Sequence, residues 1–182
     1  MKTLYKKLKQ FCTAVVNFQF TTNNQMEDYL AKGGYGKVYL RKLSDGRDVI
    51  VKVNCCKGKV AVTYHEAAIL AYLNGRGGAP KLISTTFRKG LLVMEYIKGI
   101  TVEKLIKCNE MNGSQWLSVL CAIAKRIQEI HQAGIIHSDF KPDNCLITFD
   151  EEGNPDAHII DFGLSTKIGQ RSTLSRGHEE TW

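Results

Sequence analysis

The sequence predicts an α+β fold in which an antiparallel sheet comes first and a helical region follows. Three observations carry this. Five short β-type runs occupy Tyr29 to Lys32, Val38 to Leu43, Asp48 to Asn54, Lys81 to Phe87 and Leu91 to Tyr96, with turn residues between neighbours. Two stretches, Val60 to Leu73 and Ser114 to Gln132, carry apolar residues over helical lengths. An octapeptide dense in polar chemistry, His137 to Asn144 (HSDFKPDN), follows the second of these and is answered downstream by Asp161-Phe162-Gly163.

With 182 residues the chain can bury one substantial core or two small lobes. No apolar run approaches the roughly eighteen residues a spanning helix needs. The formal charge of +7 comes from basic residues spread along the chain, so a solvated surface is expected and nucleic acid is not the expected partner. Six cysteines (Cys12, Cys55, Cys56, Cys108, Cys121, Cys145) show no C-x-x-C spacing. Reduced, mostly buried thiols in a cytosolic or nuclear protein are therefore the expectation.

In chain order, Met1 to Gln19 places Leu4, Leu8, Phe11, Val15 and Phe18 at helical spacing, with Lys2, Lys6, Lys7 and Lys9 mostly off that line. This basic amphipathic segment lacks a small-residue cleavage site, so it does not read as a signal peptide. It is expected to dock on the body of the protein in preference to an anionic surface, and this segment or a partner is the expected cover for the apolar face of the later helix Ser114 to Gln132. Asp45-Gly46 supplies a tight turn between two strands, and Ala31-Lys32-Gly33-Gly34-Tyr35-Gly36-Lys37-Val38 is a glycine-rich hairpin whose N–H groups can approach phosphate oxygens. Val49-Ile50-Val51-Lys52-Val53 holds one lysine in an otherwise buried pattern, so Lys52 needs an anionic partner, and Glu66 on the next helix is the obvious candidate.

Gly75 to Pro80 ends that helix, and Lys81 to Phe87 with Leu91 to Tyr96, joined at Arg88-Lys89-Gly90, complete a five-stranded sheet. Thr101 to Lys107 reads as a short helix. Ser114 to Gln132 reads as a longer one, with Ser114 as N-cap and Gly134 just past its end. Its apolar residues (Trp116, Leu117, Leu120, Ile123, Ala124, Ile127, Ile130) cover a wide arc, so burial on two sides is expected. His131 and His137 read as hydrogen-bonded structural histidines. Cys145 to Thr148 and Ala157 to Ile160 form a hairpin around Glu152-Gly153-Asn154 that delivers Asp161 back to the octapeptide.

The chemistry concentrates in that octapeptide. Asp139 is a carboxylate able to accept a hydroxyl proton, Lys141 can neutralise a phosphate, and Asn144 offers a hard oxygen to Mg²⁺, with Asp161 as the charged metal ligand. His137, Asp139, Lys141, Pro142 and Asn144 together arise by chance at roughly 10⁻⁶ to 10⁻⁷ per start point. In these residues, and over about Tyr29 to Ser165, the chain resembles the protein kinase family, whose signature motifs are well known.

The resemblance implies a bilobal fold with a five-stranded antiparallel N-lobe plus helix C and an incomplete helical C-lobe. The corresponding regions are 1–27 (basic segment and linker), 28–97 (N-lobe and hinge) and 98–182 (partial C-lobe ending in the activation segment). It implies Asp139 as catalytic base, Lys141 beside the γ-phosphate, the Lys52–Glu66 ion pair, and Asn144 and Asp161 holding Mg²⁺. ATP would lie against Ala31, Lys32, Gly33, Gly34, Tyr35, Gly36, Val38, Ile50, Lys52 and Leu146, with Met94 as gatekeeper and Glu95, Tyr96 and Ile97 as hinge. Lys141, two residues after Asp139, is the placement of Ser/Thr kinases, so protein Ser or Thr is the implied acceptor.

The chain departs from the family pattern at Ala31 (the first loop glycine), Ile50 (the alanine of V-A-I-K) and Ser138 (the arginine before the catalytic Asp). No Ala-Pro-Glu motif follows, so a C-terminally truncated kinase is expected. The alternatives are a catalytically weak decoy that binds a partner, and a small-molecule kinase of the aminoglycoside or choline type.

Overall fold

In the computed structural model, the residues described are 29–33, 36–54, 60–86 and 90–170. The amphipathic segment before Tyr29, Gly34, Tyr35 and the turn at Arg88-Lys89 lie outside them. The chain divides into two compact units, one running to Asn74 and including Pro80–Tyr96, the other made of Gly75–Ala79 and the residues from Ile97 onward.

The first unit is an antiparallel sheet of β1 (Tyr29–Gly33), β2 (Gly36–Lys42), β3 (Asp48–Val53), β4 (Leu82–Thr86) and β5 (Leu91–Glu95) in the order β1-β2-β3-β5-β4, with helix α1 at Val60–Leu73. The β2–β3 turn closes through Leu43 N to Arg47 O at 2.8 Å, and the Arg47 guanidinium meets Asp45 Oδ2 at 2.7 Å. Alternation along β3 sorts the residues by face. Val49 and Val51 join Leu43 and Val93 in a buried cluster. On the opposite face Ile50 pairs with Met94, and Lys52 with Leu92. Helix α1 is buried almost all round, including Glu66, Ala67, Ala68, Ile69, Leu70 and Leu73.

The second unit contains β6 (Ile100–Thr101), α2 (Val102–Cys108), α3 (Gly113–Gln132), β7 (Ile135–Ile136), a 3₁₀ turn at Pro142–Asn144, β8 (Cys145–Phe149), β9 (Pro155–Ile159) and β10 (Thr166–Lys167). Thr101 caps α2, its Oγ1 accepting from Lys104 N at 3.2 Å. The β8–β9 hairpin turns at Gly153 as the sequence predicts. The Arg76–Gly78 turn packs against α3 and β9. At Gly77 a Cβ would lie 2.2 Å from Ile130 Cγ1, so only glycine permits that approach. Arg126 on α3 locks the arrangement: Nη2 meets Asp156 Oδ2 at 2.6 Å and Nη1 meets Glu129 Oε2 at 2.9 Å, while Glu129 Oε2 accepts from Gly77 N at 3.2 Å.

Four sequence readings are corrected. The N-cap of α3 is Asn112, not Ser114: Asn112 Oδ1 accepts from Gln115 N at 3.0 Å and Gln115 Oε1 accepts from Asn112 N at 2.8 Å, a reciprocal capping box. Helix α3 is not buried on two sides; Val119, Ile123 and Ile130 are buried, whereas Leu117 and Leu120 are 63% and 57% exposed. His131 is exposed instead of locked into structure. Of the described cysteines only Cys145 is buried, Cys108 and Cys121 being exposed. No helix among the described residues is long and apolar enough to cross a membrane.

Candidate active site

In the first unit, the lysine of β3 finds the anion that its burial demands. Lys52 Nζ lies 2.7 Å from Glu66 Oε1, with side-chain exposures of 22% and 5%. A charge pair this short and this enclosed is fixed in geometry, because neither member can turn to water without leaving the other unpaired. Around it on the sheet, Val38 pairs with Lys52 and Leu40 with Ile50. Met94 is buried, and Glu95, at the end of β5, is exposed and anchored by its N–H donating to Lys81 O at 3.0 Å. Tyr96 and Ile97 follow, both half-buried.

In the glycine-rich hairpin, Ala31, Lys32 and Gly33 of β1 pair with Val38, Lys37 and Gly36. A Cβ on Gly36 would come within 2.4 Å of Val53 O. This glycine is therefore required by the β2–β3 packing whatever else the loop does.

In the second unit the octapeptide is pinned from both ends. His137 is buried, and its Nε2 lies 2.9 Å from Ile160 O. A carbonyl only accepts, so Nε2 carries the proton and Nδ1 is left to accept from Asp139 N at 3.3 Å. The same ring packs edge-on against Phe162 at 4.9 Å, and Phe162 is itself fully buried. Asn144 holds Asp139 twice, its Nδ2 donating to Asp139 O at 2.9 Å and to Asp139 Oδ2 at 3.2 Å. Lys141 Nζ stands 3.4 Å from the same Oδ2.

Asn144 O accepts from Ile160 N at 2.9 Å, which brings Asp161 to the end of the loop as the hairpin reading predicts. Leu146, two residues beyond on β8, is half-buried. Asp161 itself sits at φ 65°, a left-handed conformation that a non-glycine residue adopts only when its surroundings impose it. With Nδ2 of Asn144 committed to Asp139, its Oδ1 is the oxygen presented elsewhere. That oxygen and the Asp161 carboxylate are hard donors of the kind Mg²⁺ takes.

These features have the pattern of one family. The protein kinase domain profile matches residues 25–181. The chain belongs to the protein kinase family. Among its relatives is the serine/threonine-protein kinase RIM15 of Saccharomyces cerevisiae, 35% identical over 159 residues. That match covers 82% of this chain and 8% of the relative, so the chain spans under a tenth of the length of that protein. Membership supports the α+β kinase fold.

Several residues that shape this loop were not legible in the sequence. Ser138 also takes a positive φ, 63°, and its Oγ lies 3.4 Å from Thr166 Oγ1. Ser165 is fully buried and donates to His137 O at 3.1 Å, while β10 pairs with β7 through Thr166 and Ile136. The segment after Asp-Phe-Gly is thus laced back onto the start of the loop. At the loop's other end the Glu103 carboxyl is held below its ordinary range by Lys107, whose Nζ is 2.6 Å away. Asp143 is raised by its hydrogen bond to Glu103. A carboxylate in the 3₁₀ turn was visible in the sequence, but its neighbour across the fold was not.

Proposed function

We propose that the chain is a Mg²⁺-dependent kinase transferring the γ-phosphoryl group of ATP to serine or threonine hydroxyls of intracellular proteins. The observation that carries the reading is the anchoring of Asp139. Its carboxylate is fixed by Asn144 Nδ2 and flanked by Lys141 Nζ at 3.4 Å, with its main-chain N–H on His137. A carboxylate so placed accepts the proton of an incoming hydroxyl as the oxygen attacks phosphorus. Lys141 offsets charge on the transferred group. Asn144 and Asp161 would hold Mg²⁺, which supplies charge neutralisation on the phosphates.

Within the first unit, Lys52 held by Glu66 would bind the α- and β-phosphates. The glycine-rich hairpin from Ala31 to Val38 would cover them, with Ile50 and Met94 against the base and Glu95 to Ile97 bonding its edge. In this scheme 28–97 is the nucleotide-binding lobe and 98–182 carries the catalytic loop. Incubation with γ-labelled ATP, a panel of protein and small-molecule acceptors, and phosphoamino-acid analysis tests the reading. Label on Ser or Thr supports it; label on an amino-glycoside or choline alone, or bound ATP with no transfer, overturns it.

A further inference from the structure

Ser165 is fully buried, and its hydroxyl donates to His137 O at 3.1 Å. Burying a hydroxyl costs stability unless it is bonded, so what this donor holds is informative. The residue that carries it is itself fixed: its N–H donates to Phe162 O at 3.1 Å, and the next residue, Thr166, pairs with Ile136 across the β7–β10 ladder. The carbonyl it holds belongs to the peptide joining His137 to Ser138. The orientation of that peptide plane sets ψ of residue 137 and φ of residue 138 together. Ser138 has φ 63°, although glycine, and after it asparagine and aspartate, are the residues that adopt positive φ readily. Without a restraint the plane would turn over, and φ at residue 138 would become negative.

We propose that Ser165 is a positioning residue for Asp139, its hydroxyl latching the 137–138 peptide in the orientation that the positive φ at Ser138 requires. One residue separates that plane from Asp139. When Ser138 relaxes, the following peptide turns with it, and the N–H of that peptide is the one Asp139 donates to His137 Nδ1 at 3.3 Å. The His137 ring cannot follow, because its Nε2 is bonded to Ile160 O at 2.9 Å and its edge packs against Phe162. Thr166 adds a weaker restraint from the same segment: its Oγ1 lies 3.4 Å from Ser138 Oγ, beyond the roughly 2.5 to 3.0 Å of an ordinary O–H···O bond. The consequence for catalysis rests on the reading of Asp139 as the base; the latch itself does not.

Amide hydrogen exchange on the full chain, read residue by residue by NMR, tests the latch without any phosphoryl transfer. Ser165→Ala should speed exchange at Asp139 by about fivefold, the population shift that one ordinary intramolecular hydrogen bond supports. Ile160, whose N–H donates to Asn144 O, should be unchanged. Adding Ser138→Asn, which favours positive φ by itself, should return Asp139 to its original rate. An unchanged rate at Asp139 in Ser165→Ala overturns the proposal, as does a rise that Ile160 shares or that Ser138→Asn leaves in place. If Ser165→Ala does not fold, Ser165→Cys, which keeps a weaker donor at the same position, is read by the same two amides with the same outcomes. Activity forms a separate arm. In a chain that transfers phosphate, kcat should fall in step with the lost protection at Asp139 while KM for ATP holds, and Ser138→Asn should restore it; an unchanged kcat overturns the positioning role. A chain that binds ATP without transfer overturns the functional reading instead, and the exchange rates then decide the latch.

Discussion

Lys52→Met and Glu66→Leu, singly and together, probe whether the ion pair of the sheet holds this fold as its geometry implies. Each single substitution strands one charge in a site where Lys52 and Glu66 keep only 22% and 5% of their side-chain exposure. Breaking a buried pair from one side costs about 3 to 5 kcal/mol, and the residual access of Lys52 to water reduces this to about 2 to 3 kcal/mol. In a chain of 182 residues that corresponds to a fall in Tm of roughly 5 to 10 °C. The double variant removes both charges and leaves apolar groups of similar volume, so it should recover about 2 kcal/mol relative to the sum of the singles. Urea unfolding of the four proteins measures the coupling directly. Additive losses, with coupling below about 0.5 kcal/mol, would show that the pair is a solvent-screened contact and not the fixed element described above.

Burial pushes the Cys145 thiol up to about 11. At pH 8 its thiolate fraction is then roughly 200-fold below that of an ordinary thiol near 8.5, so mass mapping after iodoacetamide should find Cys108 and Cys121 modified well before Cys145; equal rates would contradict the buried environment. The Arg126 hydrogen bond holds the Asp156 carboxyl below its ordinary value. A depressed folded pKa contributes stability that is present above the unfolded value of about 3.9 and lost as pH falls through the folded one. The Tm gap between wild type and Asp156→Asn should therefore persist at pH 7 and close below about pH 4, as read by scanning calorimetry. Mg²⁺-dependent ATP affinity should drop more in Asp161→Asn than in Asp139→Asn, and titration calorimetry showing both undiminished would remove the metal assignment.

Much of the first unit was legible because its signals are local. The lone charge in Val49-Ile50-Val51-Lys52-Val53 marked Lys52 as needing an anion, which Glu66 supplies, and the helix read from Val60 to Leu73 has those same bounds. The Asn112 cap was missed because Asn112 and Ser114 are both competent caps, and the choice rests on Gln115 three residues after Asn112 closing the box. The breadth of the apolar arc on α3 suggested two-sided burial, yet breadth says only that a face is apolar. Leu117 stays exposed, and Leu120, with Ile106 and Phe140, borders an open groove of about 480 Å³. The left-handed backbones at Ser138 and Asp161, and the two-residue β7–β10 ladder, have no sequence signature. They are imposed by contacts between residues some thirty positions apart, such as Ser165 with His137.

The proposed role of Asp139 as base for phosphoryl transfer is tested by single-turnover transfer from γ-labelled ATP to a serine-containing protein in wild type and Asp139→Asn. General-base catalysis is worth about 10² to 10⁴ in rate. A loss in that range is expected for Asp139→Asn, with Mg²⁺-ATP affinity kept within a few-fold because Asn144 Nδ2 can still bond the main-chain oxygen of residue 139. Equal transfer rates in the two proteins, with ATP bound alike, would contradict it.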